Sequence, residues 1–289
     1  MPLTGWMRKA EVRLAKGPHA ERARRDAETL MLHLIQRDKA YLIAHPEQDL
    51  SAAGAVRYYA LVDRRLAGEP IQYITGEQEF FGLPFSVNHH VLIPRPETEG
   101  LVERVLELAV AFEYPRIVDV GTGSGAIAVT LARKLPQAEI TAIDISAEAL
   151  DVANSNAARN GVASRIRFQQ GDLLAPVKAG GVEIVVSNPP YVATADREAM
   201  AVEVREFEPM MALFAGADGL DVYQRLIPAA QEKLAQGGWL AMEIGCGQAE
   251  AIRGLLAAAG FAQIEFARDL QGIERVATAQ RMGELDEAK

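Results

Sequence analysis

Cysteine is almost absent from this chain. Cys246 is the only one in 289 residues, which excludes an intramolecular disulfide and a Cys-cluster zinc site. Long apolar runs are missing too: no stretch approaches the roughly 18 uncharged apolar residues of a membrane span. The opening residues, MPLTGWMRKAEVR, hold no apolar segment of the kind that marks a secretory signal, so a cytoplasmic chain with no membrane attachment is expected. There is no internal repeat and no low-complexity tract. Apolar residues at 49% and charged residues at 24% sit near the globular average, and the length predicts about two domains at roughly one per 150 residues. Basic charge is scarce. The net charge is −9, whereas nucleic-acid binders carry a basic footprint, so no direct nucleic-acid target is expected. The deficit is uneven: residues 1–40 hold nine Lys/Arg against five Asp/Glu, while the remainder holds 21 against 34. Such a basic segment is either an ordinary solvated helical face or a surface for an acidic partner or RNA.

Hydrophobic spacing divides the chain into three parts. Residues 1–70 read as a helical bundle. Ala27, Leu30, Met31, Leu34 and Ile35 recur on one helical face. Ser51 can cap a helix running through Val56, Tyr59 and Leu66, which Gly68 and Pro70 stop. Residues 71–93 are rich in β-branched and aromatic side chains punctuated by Gly76, Gly82 and Pro84, and read as a β-hairpin linker. Residues 94–289 start with PRPETEG and a helix through Leu101, Val105, Leu108 and Phe112. From residue 116 strands and helices alternate: RIVDV, EITAID, RIRFQQ, VEIVVS and WLAMEI are strands, with helices after RIVDV and EITAID and a long helix from Val222 to Ala235 before WLAMEI. Repeated strand-helix units predict a mostly parallel, doubly wound α/β sheet. The last two strands, IEFA and IERVATA, have no helix between them and predict an antiparallel hairpin at one edge.

Asp119 is followed by Gly121, Thr122, Gly123, Ser124 and Gly125 at a strand-to-helix turn. Glycines there permit positive φ and close approach of a ligand to the backbone, and the helix N-terminus offers free N–H groups. In open α/β sheets the ligand crevice lies at the carboxyl ends of the strands. Asp144 ends the next strand, where a carboxylate can accept both hydroxyls of an adenosine ribose. Gly121, Gly123 and Ala126 also satisfy the dinucleotide fingerprint, so the loop alone does not separate a nicotinamide cofactor from S-adenosylmethionine. Asp119 favours the latter, because an acidic group beside the crevice suits a sulfonium and an amino group better than a pyrophosphate.

Ser187, Asn188, Pro189, Pro190 and Tyr191 follow the fourth strand directly. Consecutive prolines fix φ and lack N–H groups, so they hold the chain extended and leave the Pro189 carbonyl without a helix or sheet partner. The Asn188 amide oxygen and that carbonyl can together receive both hydrogens of a planar –NH2 group, and Tyr191 offers a flat face for stacking. An amide or aryl –NH2 is a poor nucleophile. Two fixed acceptors would aim its nitrogen and stabilise the positive charge that grows on it during methylation.

These stretches resemble the N5-glutamine methyltransferases that modify class I peptide chain release factors, the PrmC/HemK family. GEPIQYITGEQEFFGLPFSV, VLIPRPETE, DVGTGSGAIAVTLA, AIDISAEAL, VSNPPY, FAGADGLDVYQRLI and DLQGIERV carry the resemblance, which covers almost the whole chain. It implies a seven-stranded, Rossmann-like class I methyltransferase sheet behind a small helical domain that helps grip the release factor. It implies S-adenosylmethionine as methyl donor and the glutamine of a Gly-Gly-Gln loop as acceptor, with consequences for translation termination. Gly121, Thr122, Gly123, Ser124 and Gly125 would surround the methionine part of the cofactor, Asp144 the ribose and Leu173 the adenine. Asn188, Pro189, Pro190 and Tyr191 would hold the glutamine, with Asn188 also touching the cofactor. Leu173 departs from the aromatic residue that many members have after the aspartate, which weakens stacking. A monomer is expected.

Other features carry less. Pro94 to Thr98 read either as helix initiation, with Pro96 in the first turn and Glu97 and Glu99 at the N-terminus, or as a wall of the cofactor pocket. Adjacent His89 and His90 would point opposite ways on a strand, and no third metal ligand is evident. Cys246 reads as a buried small residue. Glu243 ends the fifth strand as an anchor or as a substrate contact. Three rival functions are a nucleic-acid N-methyltransferase, which should show a basic groove and a base-flipping pocket, a nicotinamide oxidoreductase, which leaves NPPY unexplained, and a docking module, which has no need of Asp144 and Asn188.

Overall fold

The computed structural model describes residues 1–282. The helical elements before the sheet are α1 (Leu3–Leu14), α2 (Ala23–Ile35), α3 (Lys39–Ala44), α4 (Ala52–Leu66) and α5 (Ile71–Thr75), followed by the short strands β1 (Glu77–Phe80) and β2 (Leu83–Ser86). Then come α6 (Glu97–Ala109), β3 (Arg116–Val120), α7 (Ala126–Lys134), β4 (Glu139–Asp144), α8 (Ala147–Arg159), β5 (Ile166–Gln170) and β6 (Val182–Ser187). The chain ends with α9 (Val202–Phe207), α10 (Asp221–Lys233), β7 (Leu234–Glu243), α11 (Ala249–Ala258), β8 (Phe261–Arg268) and β9 (Glu274–Arg281). No helix among the described residues is long and apolar enough to cross a membrane.

Two compact units result. One takes residues 1–77 together with 200–207; the other takes 78–199 and 208–282. The return of α9 to the first unit has no signal in a reading that follows chain order. In the first unit, Ser51 caps α4 as expected, its Oγ accepting the Gly54 N–H at 3.0 Å. The helix runs through Val56, Tyr59 and Leu66 as expected. Val56 is exposed and Tyr59 half-buried, while Ala55, Tyr58, Val62 and Arg65 turn inward. The polar tips on the inner face find partners. The Tyr58 hydroxyl donates to the Ala27 carbonyl at 2.8 Å. The Arg65 guanidinium, almost wholly buried, donates to Asp26 at 2.6 Å, to the Glu69 carbonyl at 2.9 Å and to Glu203 at 3.0 Å. A buried cation is tolerated only when it is paired and hydrogen-bonded in this way. On α2, Ala27, Leu30 and Met31 are buried, but Leu34 and Ile35 only partly so.

The hairpin is shorter than expected. Residues 71–75 form a helical turn between Pro70 and the left-handed Gly76 (φ +78°) rather than a strand, and pairing is confined to β1 and β2.

The second unit is built on a seven-stranded sheet in the order β5-β4-β3-β6-β7-β9-β8. The first five are parallel; β9 runs antiparallel to both its neighbours, leaving β8 at the edge. Doubly wound topology and the terminal antiparallel hairpin agree with the sequence reading. Strand side chains alternate between two buried faces. Ile117, Ile140, Ile184 and Val186 pack with Leu101, Val105 and Leu131 of α6 and α7. Val118, Ile143, Val185 and Leu240 pack on the other face with Leu226, Ile227 and Ile252 of α10 and α11.

The strand order reverses at β3, which pairs in parallel with β4 on one side and β6 on the other. Ligands bind at such a switch point. The register aligns Val120 with Ser187 and Ser187 with Met242. Gly121, Asn188 and Glu243, one residue further along each strand, therefore lie side by side.

Buried Asn156 on α8 ties the hairpin to the glycine loop. Its Oδ1 accepts the Ser86 N–H at 2.7 Å, and its Nδ2 donates to the Ser86 and Ser124 carbonyls at 2.9 and 2.8 Å. Asn156→Ala leaves these backbone groups unpaired. It should cost about 3 kcal/mol, given about 1–3 kcal/mol per buried unsatisfied group, measured as a lower urea midpoint with an unchanged m value.

Candidate active site

A cavity of about 380 Å³ opens at the carboxyl ends of β3, β4 and β6. Its lining includes Gly121, Thr122, Gly123, Ser124, Asp144, Leu173, Asn188 and Pro190. Most of the sequence-predicted residues thus converge on one space. Gly125, Pro189 and Tyr191 do not line it. Gly125 is a packing glycine: it holds φ +79°, and an added Cβ would sit 3.1 Å from that of Ala153 on α8. Gly121 and Gly123 also hold positive φ, but a Cβ on either would meet no protein atom within 4 Å.

Asp119 is a correction. It lies beneath the loop rather than beside the crevice, and it is fully buried. Its Oδ2 accepts the Thr122 hydroxyl at 2.7 Å and the Ala128 N–H at 3.1 Å, while Oδ1 is buried with no partner among the described residues. It braces the turn. Burial pushes its pKa up to about 7 against these two hydrogen bonds. Asp144 stands at the cavity. Its Oδ2 accepts the Gly123 N–H at 2.8 Å and its Oδ1 the Ser146 N–H at 3.0 Å, which leaves each oxygen a further lone pair. Leu173 reaches the cavity with its backbone left-handed (φ +50°).

The Asn-Pro-Pro-Tyr segment leaves β6 as its prolines dictate. No described residue donates to the Pro189 carbonyl or to Asn188 Oδ1. Asn188 Nδ2 donates to Thr98 Oγ1 at 3.1 Å, and Thr98 Oγ1 donates to Glu243 Oε2 at 2.6 Å. The Tyr191 hydroxyl donates to Glu243 Oε1 at 3.2 Å, so the ring is anchored through Glu243. Burial raises the pKa of Glu243, while the two hydroxyls and nearby Arg275 favour its carboxylate.

PRPETE starts a helix and also reaches the cavity in part. Glu97 and Glu99 occupy the first turn of α6, and Pro94, Arg95 and Thr98 line the cavity. Buried Glu208 pairs with Arg95 and accepts the Ile93 N–H at 3.4 Å. His89 and His90 form a turn instead of a strand, their rings 3.9 Å apart, and both line the cavity. Cys246 is exposed, contrary to expectation, because β7 ends at Glu243 and the chain there is already loop. Asn156, Glu208, Met211 and Arg225 were not singled out. Only Asn156 had a signal, as a polar residue on the same helical face as Ala149 and Ala153. The sequence offers Thr98 as part of a helix start or a wall, and no local pattern links it to Asn188.

A doubly wound sheet of this order, a glycine loop at its switch point and an acceptor-bearing Asn-Pro-Pro-Tyr beside it define a methyltransferase. Two family models match the chain, the PrmC N-terminal domain over residues 5–76 and the methyltransferase small domain over 98–206. Release factor glutamine methyltransferases of Koribacter versatilis and Moorella thermoacetica are 43% and 44% identical to it. The matches cover 89% and 94% of this chain and 91% and 96% of theirs. The chain belongs to the release factor glutamine methyltransferase family. Solved structures agree on the fold alone. The hMettl16 catalytic domain, solved in complex with MAT2A 3′UTR hairpin 6, gives a TM-score of 0.59 at 18% identity, covering 86% of this chain and 94% of that one. A methyltransferase from Pyrococcus furiosus gives 0.50 at 17%, covering 71% and 91%.

The raised pKa of Asp119 has a signed consequence. A carboxyl held above its unfolded value stabilises the fold at low pH, and that contribution is lost as pH rises from near 4 through about 7. Asp119→Asn mimics the protonated form and cannot ionise. The variant should therefore gain on the native protein as pH rises, by a few kcal/mol on the order of 1.4 per pKa unit. Urea unfolding at pH 5 and pH 8 measures the gap, which should be wider at pH 8.

Proposed function

We propose that this protein transfers a methyl group from S-adenosylmethionine to the side-chain amide nitrogen, N5, of the glutamine in the Gly-Gly-Gln motif of a class I peptide chain release factor. The supporting observation is Asn188: it lines the cavity beside the glycine loop, and among the described residues neither its Oδ1 nor the adjacent Pro189 carbonyl receives a hydrogen bond.

The cavity residues fit the cofactor. Gly121 and Gly123 leave open the space that a Cβ would fill. Asp144 keeps lone pairs for two ribose hydroxyls, and Leu173 offers an aliphatic face for the adenine. Thr122 and Ser124 flank the remainder of the loop at the cavity. When bound, S-adenosylmethionine supplies a methyl group on a sulfonium; transfer breaks the S–CH3 bond, forms the N–CH3 bond and leaves a neutral thioether.

The protein's own part is to position the acceptor and withstand charge. Asn188 Oδ1 and the Pro189 carbonyl accept the two hydrogens of the carboxamide and turn its nitrogen toward the methyl group. Positive charge develops on that nitrogen as its delocalised lone pair is drawn into the new bond, and the two acceptor dipoles stabilise it. The proton leaves to solvent after the bond has formed, so no strong base is required. Pro190 walls the cavity, and Tyr191, held by Glu243, stiffens the loop that carries Asn188. The helical unit, expected over residues 1–70, helps hold the release factor, and the enzyme acts as a cytoplasmic monomer.

Incubation of the enzyme with labelled S-adenosylmethionine and an unmodified release factor, followed by peptide mass mapping, should show a gain of one CH2 on a single glutamine. Asn188→Ala should lower turnover about 100-fold or more, the scale of removing one preorganised charge-stabilising group, with cofactor binding by calorimetry retained. Asp144→Ala should mainly weaken that binding. Methylation at an undiminished rate by Asn188→Ala would remove the mechanism.

A further inference from the structure

A primary amide has two ends that look alike in shape and are opposite in hydrogen bonding. Asn188 can serve a substrate –NH2 only with its oxygen facing the cavity. Turned over, it would set its own –NH2 against that of the glutamine. Nothing in Asn188 itself decides between the two.

The decision lies two residues away along a chain of hydrogen bonds. Glu243 receives two hydroxyl groups, Thr98 on Oε2 at 2.6 Å and Tyr191 on Oε1 at 3.2 Å. Thr98 and Glu243 are both buried, with 4% and 2% exposure, so no bulk water competes for these contacts. A threonine hydroxyl has one hydrogen. Once Glu243 takes it, the oxygen that faces Asn188 can only accept. Asn188 must then present Nδ2, and the 3.1 Å contact from Nδ2 to Thr98 Oγ1 is the one found. With Glu243 ionised, this order of donors follows from the single hydrogen on Thr98. Swapping the two ends of the Asn188 amide would place Oδ1 against a hydroxyl oxygen with no hydrogen to give.

We propose that Thr98 and Glu243 are positioning residues for methyl transfer: Glu243 orients the Thr98 hydroxyl, and that hydroxyl fixes the Asn188 amide with its oxygen toward the substrate. This rests on the proposed glutamine N-methylation. It also accounts for a carboxyl buried at the end of β7, which the chemistry does not otherwise use. The fold supplies the geometry: Thr98 sits in the first turn of α6, while Asn188 and Glu243 follow adjacent parallel strands. Tyr191 closes the loop by joining the same carboxyl from the far side of the prolines.

Thr98→Val keeps the shape and removes the hydroxyl. Its kcat on an unmodified release factor should fall about 10–100-fold, the scale of losing a group that orients a functional side chain, a larger change than any in the calorimetric affinity for S-adenosylmethionine. Thr98→Ser restores the hydroxyl and should restore kcat. In an Asn188→Ala background, Thr98→Val should cause no further loss, because there is no amide left to orient. A role in packing alone would give the same proportional loss in both backgrounds, and that result, or a Thr98→Val enzyme with native kcat, overturns the proposal. If native enzyme puts no methyl group on glutamine, the functional reading fails instead. Neutron diffraction of the unaltered protein tests the order without any variant. The Thr98 hydroxyl deuterium should lie toward Glu243, and a deuterium lying toward Asn188 refutes the assignment.

Discussion

The hydroxyl of Ser187 donates to the Val120 carbonyl at 2.8 Å, where β6 and β3 run out together at the middle of the sheet. That pairing brings the glycine turn and the Asn-Pro-Pro-Tyr segment to the same height on neighbouring strands. A slip of one residue would turn alternate side chains to the wrong face of a sheet buried on both sides, so the hydrophobic core enforces the register. Ile117, Ile184 and Val186 on one face and Val118 and Val185 on the other hold it. The site is thus a consequence of packing at a distance from it, and its parts sit on strand ends, where a rigid sheet positions them more finely than a free loop could.

Around that register the acidic residues divide their work by burial. Asp119, sealed beneath the turn, serves the backbone and is pushed toward its neutral form. Asp144, at the cavity, also holds backbone N–H groups yet keeps acceptor capacity to spare. Glu243 spends its oxygens on two hydroxyls and Glu208 pairs with Arg95. An overall acidic chain therefore does not present an acidic cavity, since much of the charge near the site is already engaged in holding it.

The chemistry-bearing stretches were legible because glycine and proline constrain the backbone wherever they occur. Gly121 and Gly123, and Pro189 and Pro190, announced a ligand turn and an extended exit whatever the surrounding packing. The parallel strands were legible as apolar runs, and the final antiparallel pair from the absence of an intervening helix. What could not be read depended on partners far away in sequence. Tyr58 and Arg65 on the inner face of α4 find the Ala27 carbonyl and Asp26 on α2, 31 and 39 residues away. Asp119 looked like a crevice residue because its position before the glycines is the same whether it points up or down. The tie from Thr98 to Asn188 spans 90 residues, and no local pattern reports it.

The central claim is that a proline-held asparagine presents its amide oxygen to a carboxamide. A crystal structure with S-adenosylhomocysteine and a glutamine-bearing release factor peptide tests it most directly. It should show Asn188 Oδ1 and the Pro189 carbonyl both within hydrogen-bond distance of the glutamine amide nitrogen, and Asp144 on the ribose. A glutamine held elsewhere, with Asn188 turned out of the cavity, would contradict it.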